Sequence, residues 1–183
     1  IIVETEAYLK SGDPSCHAHH GPTPRSVSMY AVGGTLYVYA IHGRYCLNVV
    51  TEDAGEGCAV LIRAIEPVWG IQTMHRRRSR ERLIDLTTGP AKLCEALGVD
   101  LKLDGTDMVN DPSVWIGDPK QTSLESPSLE SLPVITTPRI GISQGVEMPL
   151  RFLVDRNRFV SGRKSVHSGK ADQNVARWFP TSP

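Results

Sequence analysis

Thr35-Leu-Tyr-Val-Tyr-Ala-Ile41, followed by His42-Gly43 and a second apolar run over Tyr45–Val50, is the stretch on which the fold turns. β-Branched and aromatic residues dominate it, which reads as strand. Strand alternation places Leu36, Val38 and Ala40 on one face and Tyr37, Tyr39 and Ile41 on the other. Two strands around a short Gly-containing connection predict a β-hairpin. Working outward, Ile1–Tyr8 is β-rich at its start. Cys58–Ile65 is an apolar run broken by one charge, Arg63, and predicts a buried strand. Lys10–Arg25 is rich in Gly, Pro, Ser and His and reads as a loop. A helix is expected over Ile71–Leu83, with its Arg-rich side exposed. A shorter helix is expected over Gly89–Gly98, with Pro90 in its first turn and Gly98 as the stop. Ser123–Pro138 reads as a loop or crossing segment, Val134–Ile142 as containing an edge strand and Leu150–Val154 as a strand. Short strands with few helices predict an α+β domain: a mostly antiparallel curved sheet, a protruding hairpin and a few short helices.

A chain of 183 residues that is 40% hydrophobic suits one domain with a core of its own. That domain is expected over residues 1–160, with a polar, basic and partly disordered tail over 161–183 that lacks a core pattern until Trp178-Phe179. Nothing approaches the roughly 18 consecutive apolar residues of a membrane-spanning helix, so no membrane partner is expected. Ile1–Glu6 does not resemble a signal peptide and reads as the middle of a strand, so the native start of that strand is expected upstream. Cys16, Cys46, Cys58 and Cys94 are irregularly spaced with no CxxC pair, and are expected as reduced, mostly buried thiols of a cytosolic protein. The net charge is zero but unevenly spread. Residues 71–95 carry six Lys/Arg against three Asp/Glu and residues 151–183 seven against two, whereas residues 96–150 carry three against eight. One basic face is compatible with that distribution, and so is a solvated helix side plus a basic tail.

Among residues able to carry chemistry, Glu4, Glu6 and Tyr8 share one face of an extended strand. Arg63, inside its apolar strand, needs an anionic partner, and one of these glutamates would supply it. A carboxylate beside a cation suits the activation of a water molecule. Cys16-His17-Ala18-His19-His20 suggests metal by composition, but the spacing is poor for a structural zinc site, and one His presented to a pocket is the favoured reading. Tyr8, Tyr37, Tyr39 and Tyr45 are four of five tyrosines. They read as strand packing or as flat faces for stacking a nucleobase.

Ile2-Val3-Glu4-Thr5-Glu6-Ala7-Tyr8 strongly resembles the opening motif of the alkyladenine (3-methyladenine) DNA glycosylase family. The resemblance continues through Asp13, His17, Thr23-Pro24-Arg25, Met29, Gly34–Tyr39 and Cys46–Val49. It runs on through Leu61–Pro67, Gly89–Cys94, Pro138–Ile142 and Pro149–Phe152, so that it spans residues 1 to about 154 in order. It implies a monofunctional enzyme that flips alkylated or deaminated purines (of the 3-methyladenine, 7-methylguanine and hypoxanthine type) out of duplex DNA. By the family pattern Glu6 deprotonates the water that attacks the sugar C1′ and Arg63 helps to hold that water. Tyr8 stacks on one face of the base, and His17 and Tyr39 cover the other. Asn48 disfavours the 2-amino group of normal guanine, and Arg25 and Lys92 fall where the family contacts the DNA backbone. At the hairpin tip, where the family carries a wedging tyrosine, this chain has His42, and Arg44 follows in the same DNA-facing stretch. The His42–Asn48 stretch is also one residue shorter than the family pattern. No cofactor or metal is implied, nor a lysine nucleophile. The implied partner is double-stranded DNA containing damaged purines, bound by a monomer in the cytoplasm or, in a eukaryote, the nucleus. Two rival readings are a non-catalytic nucleic-acid-binding module of the same fold and a metal-dependent hydrolase built on His17, His19 and His20.

Overall fold

The computed structural model of the chain describes residues 1–117 and 133–162. The expected crossing segment lies outside them up to residue 132. The expected tail does so from residue 163 on, Trp178-Phe179 included. The strands are β1 (Ile2–Tyr8), β2 (Leu36–Ile41), β3 (Arg44–Val50), β4 (Ala59–Ile65), β5 (Val134–Thr137) and β6 (Arg151–Val154). The helices are α1 (Ile71–Arg78), α2 (Ile84–Thr87) and α3 (Pro90–Leu97), with one-turn 3₁₀ segments at His17–His20, Val27–Tyr30 and Leu101–Leu103. All six strands form one sheet in the order β2-β3-β4-β1-β6-β5, and every neighbouring pair is antiparallel. The chain therefore folds as the α+β domain expected from the hairpin and its flanking strands.

The hairpin is built as its alternation demands. Leu36 and Val38 pack with Ile62, Leu93, Cys94 and Val99 on the helix-covered face of the sheet. Tyr37 packs with Cys16, Met29 and Val50 on the opposite face, and Tyr39 lies against that cluster. Ile41 pairs with Arg44 across His42 and Gly43, whose φ angles are 48° and 70°. Two positive φ values in a two-residue loop fit the right-handed twist of the strands, and glycine adopts this conformation without a Cβ clash. Only Asn48–Val50 of β3 pairs with β4. The Ala40–Arg44 end of the hairpin therefore projects beyond the sheet and is exposed. Residues 104–108 cover the outer edge of β2. The Leu36 amide donates to the Thr106 carbonyl, the Gly105 amide donates to the Leu36 carbonyl, and Asp104 accepts from the Val38 amide at 2.8 Å. Capping an open edge in this way keeps it from pairing with another chain.

α3 starts at Pro90, placed in the first turn where its missing N–H costs nothing, and stops at Gly98 with φ 77°. The expected α1 is longer than the observed one. The helix ends at Arg78 because Ser79 turns left-handed at φ 48°, which breaks the ladder five residues before Leu83. Nor is its Arg-rich side uniformly exposed: Arg78 is drawn inward to the Glu95 carboxylate on α3. All four cysteines are free thiols, and three are buried. Among the described residues no helix is long and apolar enough to cross a membrane.

One irregularity matters for the site. Thr5 pairs with Ile62 but Glu4 pairs with Ala64, which leaves Arg63 as an extra residue in β4. Such a β-bulge re-aims a side chain. Ile62 and Ile65, three residues apart, consequently both pack on the α3 side, and Arg63 turns toward β1.

Leu93 is fully buried where α3 meets the sheet. Leu93→Ala should lower the free energy of unfolding by about 2–5 kcal/mol, read by urea denaturation. A loss below about 1 kcal/mol would mean that α3 is not the main cover of that face.

Candidate active site

Among the described residues three carboxylates are sealed from solvent: Glu4, Glu6 and Asp13 are each 1% exposed or less. Buried charges persist only when paired and hydrogen-bonded, and here each meets an arginine. Arg63 Nη1 donates to Glu6 Oε2 at 3.0 Å, and its Nε lies 3.3 Å from Glu4 Oε1. Glu4 also accepts from Arg151 Nε at 2.6 Å, from the Ser161 amide at 2.6 Å and from the Ser161 hydroxyl at 3.0 Å. Arg139 grips Asp13 with two bonds of 2.6 Å. Burial alone would raise the Asp13 pKa, but the Arg139 bonds outweigh it and the pKa falls.

Around Glu6 every partner is a donor. Besides Arg63, the Tyr8 hydroxyl donates to Oε2 at 2.9 Å and the Ile140 amide to Oε1 at 2.9 Å. Burial, then the neighbouring Glu6, pushes the Tyr8 pKa up, so the hydroxyl keeps its proton and remains a donor. A carboxylate offers about four acceptor positions. Three are taken, which leaves one for a further donor such as water.

Glu6 is roofed by its own partners. A cavity of about 340 Å³ is lined by Tyr8, Arg63 and Ile140, the three residues that bond Glu6, and also by His17, Tyr39 and Asn48. That volume is at the small end of the roughly 300–1,000 Å³ typical of ligand pockets, and suits one planar heterocycle. Tyr8 forms one wall. The His17 and Tyr39 rings, also in the lining, meet edge-on with centroids 4.6 Å apart. His17 Nδ1 is 2.7 Å from the Tyr37 hydroxyl, which fixes the ring. Asn48 is buried and donates through Nδ2 to the Tyr37 carbonyl at 2.9 Å.

Basic residues ring the mouth. Ile41 and Ala91 line the cavity, and their chain neighbours His42 and Lys92 are exposed. Arg25 is exposed too, with its guanidinium 5.4 Å from the Tyr39 ring centroid and bonded to the Ala40 carbonyl. Arg44 pairs with Glu95 at 2.7 Å. This pair is exposed, of a kind worth at most about 1 kcal/mol, so it does not hold Arg44 away from a phosphate.

Residues 1–158 match the family model described as Methylpurine-DNA glycosylase (MPG). The chain belongs to the methylpurine-DNA glycosylase family. It is therefore a DNA glycosylase, an enzyme of DNA repair with DNA as its substrate. It is 51% identical over 166 residues (88% of this chain and 68% of the relative) to a protein of Rhodopirellula baltica named "Putative 3-methyladenine DNA glycosylase". Proteins of the same name are 44% identical in Herpetosiphon aurantiacus (97% of this chain, 80% of the relative) and 41% identical in Methanoculleus marisnigri (88% and 82%).

In this glycosylase the fold gathers Arg63, Tyr8, His17, Tyr39 and Asn48 in the lining of one cavity, with Glu6 bonded to three lining residues. Arg25 lies over Tyr39, His42 and Lys92 adjoin lining residues in the chain, and Arg44 lies instead against Glu95 on α3. Glu4, read from the sequence as one of the glutamates able to pair with Arg63, does so and is also bonded by Arg151 and Ser161. Four residues were not anticipated as parts of the site: Ile140, which acts through its backbone amide, Arg139, Arg151 and Ser161. Only the arginines leave a trace in sequence. Arg151 opens an apolar strand much as Arg63 interrupts one, and Arg139 follows directly on a strand. Among the described residues no group of three or more His, Cys, Asp or Glu is placed to hold a metal ion, and His19 and His20 are exposed.

Burial, aided by the nearby Arg25 charge, lowers the His17 pKa from 6.5. The folded protein thus disfavours the imidazolium, so His17 is neutral at pH 7. The unfolded chain takes up this proton first, so the shift costs stability only as pH falls below 6.5. Histidine resonances followed by NMR against pH, with His17→Gln to assign the signal, should give a His17 midpoint below 6.5. A midpoint above it would contradict a ring whose charged form is disfavoured by its surroundings and by Arg25.

Proposed function

We propose that this glycosylase flips a damaged purine from duplex DNA into the Tyr8/His17/Tyr39 cavity and hydrolyses its N-glycosidic bond with Glu6 as general base. The observation that carries this reading is the position of Glu6. It lies directly beneath an aromatic cavity, bonded to Arg63, with one acceptor position left over. A water on that position would pass a proton to Glu6 as its oxygen attacks C1′, and the electron pair of the broken C–N bond would leave with the base. Arg63, bonded to Glu6, would hold the same water.

The walls favour the lesions that a family of this name would meet. Alkylated purines such as 3-methyladenine and 7-methylguanine are cationic, and tyrosine faces attract cations through the ring quadrupole. A neutral His17 adds no repulsion. Hypoxanthine is neutral and would take a proton as it leaves, so one pocket serves both classes by different routes. Asn48 would stand against the 2-amino group of normal guanine, its side chain fixed by the Tyr37 carbonyl.

Damaged bases cost less to extrude than sound pairs. The projecting hairpin supplies the tool for that extrusion, with His42 as the wedge in the minor groove. Arg25, Arg44 and Lys92 would contact phosphates, so binding should weaken with added salt.

Glu6→Gln should reduce single-turnover excision from a hypoxanthine or 7-methylguanine duplex by about 10²–10⁴-fold and leave duplex affinity unchanged. A fully active Glu6→Gln protein would remove Glu6 from the chemistry. His42→Ala should weaken both excision and lesion affinity. If both quantities are unmoved in that variant, the hairpin tip is not the wedge.

A further inference from the structure

Behind Tyr8, on the face turned away from the cavity, lies an ion pair that the excision step does not use. The Arg139 guanidinium sits 4.6 Å from the Tyr8 ring centroid. Arg139 is 3% exposed, and it and Asp13 have side chains closed off from solvent. Tyr8 lines the cavity but neither Arg139 nor Asp13 does. The tyrosine ring therefore separates a buried cation from whatever stacks in the pocket. Arg139 Nη1 is fixed further by the Ala7 carbonyl at 2.9 Å.

We propose that the Asp13–Arg139 pair sets how strongly the pocket prefers cationic over neutral purines, by cancelling a positive charge that would otherwise face the lesion through the Tyr8 ring. The proposal rests on Tyr8 being a stacking wall, as inferred above. A base at van der Waals distance from that ring lies about 8 Å from the guanidinium. Across that distance, at the effective dielectric of a partly buried site, an uncompensated unit charge would change the affinity of a cationic base on the order of tenfold. A neutral base would feel almost none of it. Asp13 supplies the opposite charge at 2.6 Å on two oxygens, so the wall stays electrically quiet and its ring quadrupole remains free to attract a cation.

The test reads ground-state binding, where the lesion's own charge is not confounded by the proton taken up during bond breaking. In a Glu6→Gln background, affinities are measured for duplexes carrying 7-methylguanine (cationic) and hypoxanthine (neutral). Asp13→Asn should lower the preference for the cationic lesion by about tenfold. Arg139→Gln, which leaves the carboxylate alone, should raise it. The double variant Asp13→Asn/Arg139→Gln should return it to the parent value. A structural brace would lose affinity for both lesions alike, whichever partner was removed. Either single variant leaves a buried charge alone, so folding is checked by circular dichroism. Met148→Glu serves where a single variant does not fold. The Met148 sulfur lies 3.8 Å from Arg139 Nη2, so a second carboxylate there should raise the cation preference. A preference that stays constant across the folded variants overturns the proposal and leaves the excision reading intact. Wild-type protein inactive on both duplexes, or Tyr8→Leu binding both lesions as the parent does, overturns the underlying reading and the proposal with it.

Discussion

The fold of this glycosylase, and the chemistry proposed for it, depend on Arg63 standing between two buried glutamates. Glu4 and Glu6 lie on the central strand of the sheet, and neither could remain there unpaired: removing one partner of a buried ion pair typically costs about 3–5 kcal/mol. A regular strand would not have put one guanidinium within reach of both. The bulge between Glu4/Ala64 and Thr5/Ile62 does so, at the expense of one unpaired residue in the ladder. The Glu6 carboxylate, the general base of the function proposed above, is thus held by an element of secondary structure rather than by a loop.

The cavity above it is assembled from parts with no sequence proximity. Tyr8 comes from the central strand, Tyr39 from the hairpin and His17 from a one-turn 3₁₀ segment. The Ile140 amide arrives from the chain just beyond edge strand β5. Each is fixed by a separate bond: Tyr8 by Glu6, His17 by the Tyr37 hydroxyl, and the Ile140 segment by the neighbouring Arg139 on Asp13. Burial raises the pKa of Tyr8, Tyr37 and Tyr39. The phenols therefore stay neutral, and the Arg63 charge in the lining is paired with Glu4 and Glu6.

Much of this was legible in the sequence because local rules carry it. The period-two spacing of Glu4, Glu6 and Tyr8, the lone Arg63 in an apolar run, the His-Gly turn and the Pro90/Gly98 bracket of α3 each have a direct physical reading, and each reappears in the structure. What stayed hidden was either long-range or irregular. Nothing near Glu4 announces Arg151 or Ser161, which lie 147 and 157 residues away. The amide of Ile140 carries no side-chain signature. Ser79 ends α1 in a left-handed conformation that a glycine would have advertised and a serine does not. The bulge at Arg63 is set by register across two strands, which composition does not encode.

The zero net charge of the chain, which on its face argues against a nucleic-acid partner, is only a sum and does not say where the charges lie. Glu4, Glu6 and Asp13 balance Arg63, Arg139 and Arg151 in the interior, so six charges that composition counts are invisible from outside. The remainder is still balanced in sum, so attraction for a phosphate comes from how exposed charges such as Arg25, Arg44 and Lys92 are distributed over a Debye length, roughly 8–10 Å at moderate ionic strength. Phosphate attraction depends on that local field rather than on the sum over the chain. On the function proposed above, a cationic lesion would bring its charge to a pocket whose buried ionised groups are paired with one another. Discrimination would then rest on the aromatic faces and the Asn48 amide, while long-range attraction would be left to the exposed basic residues.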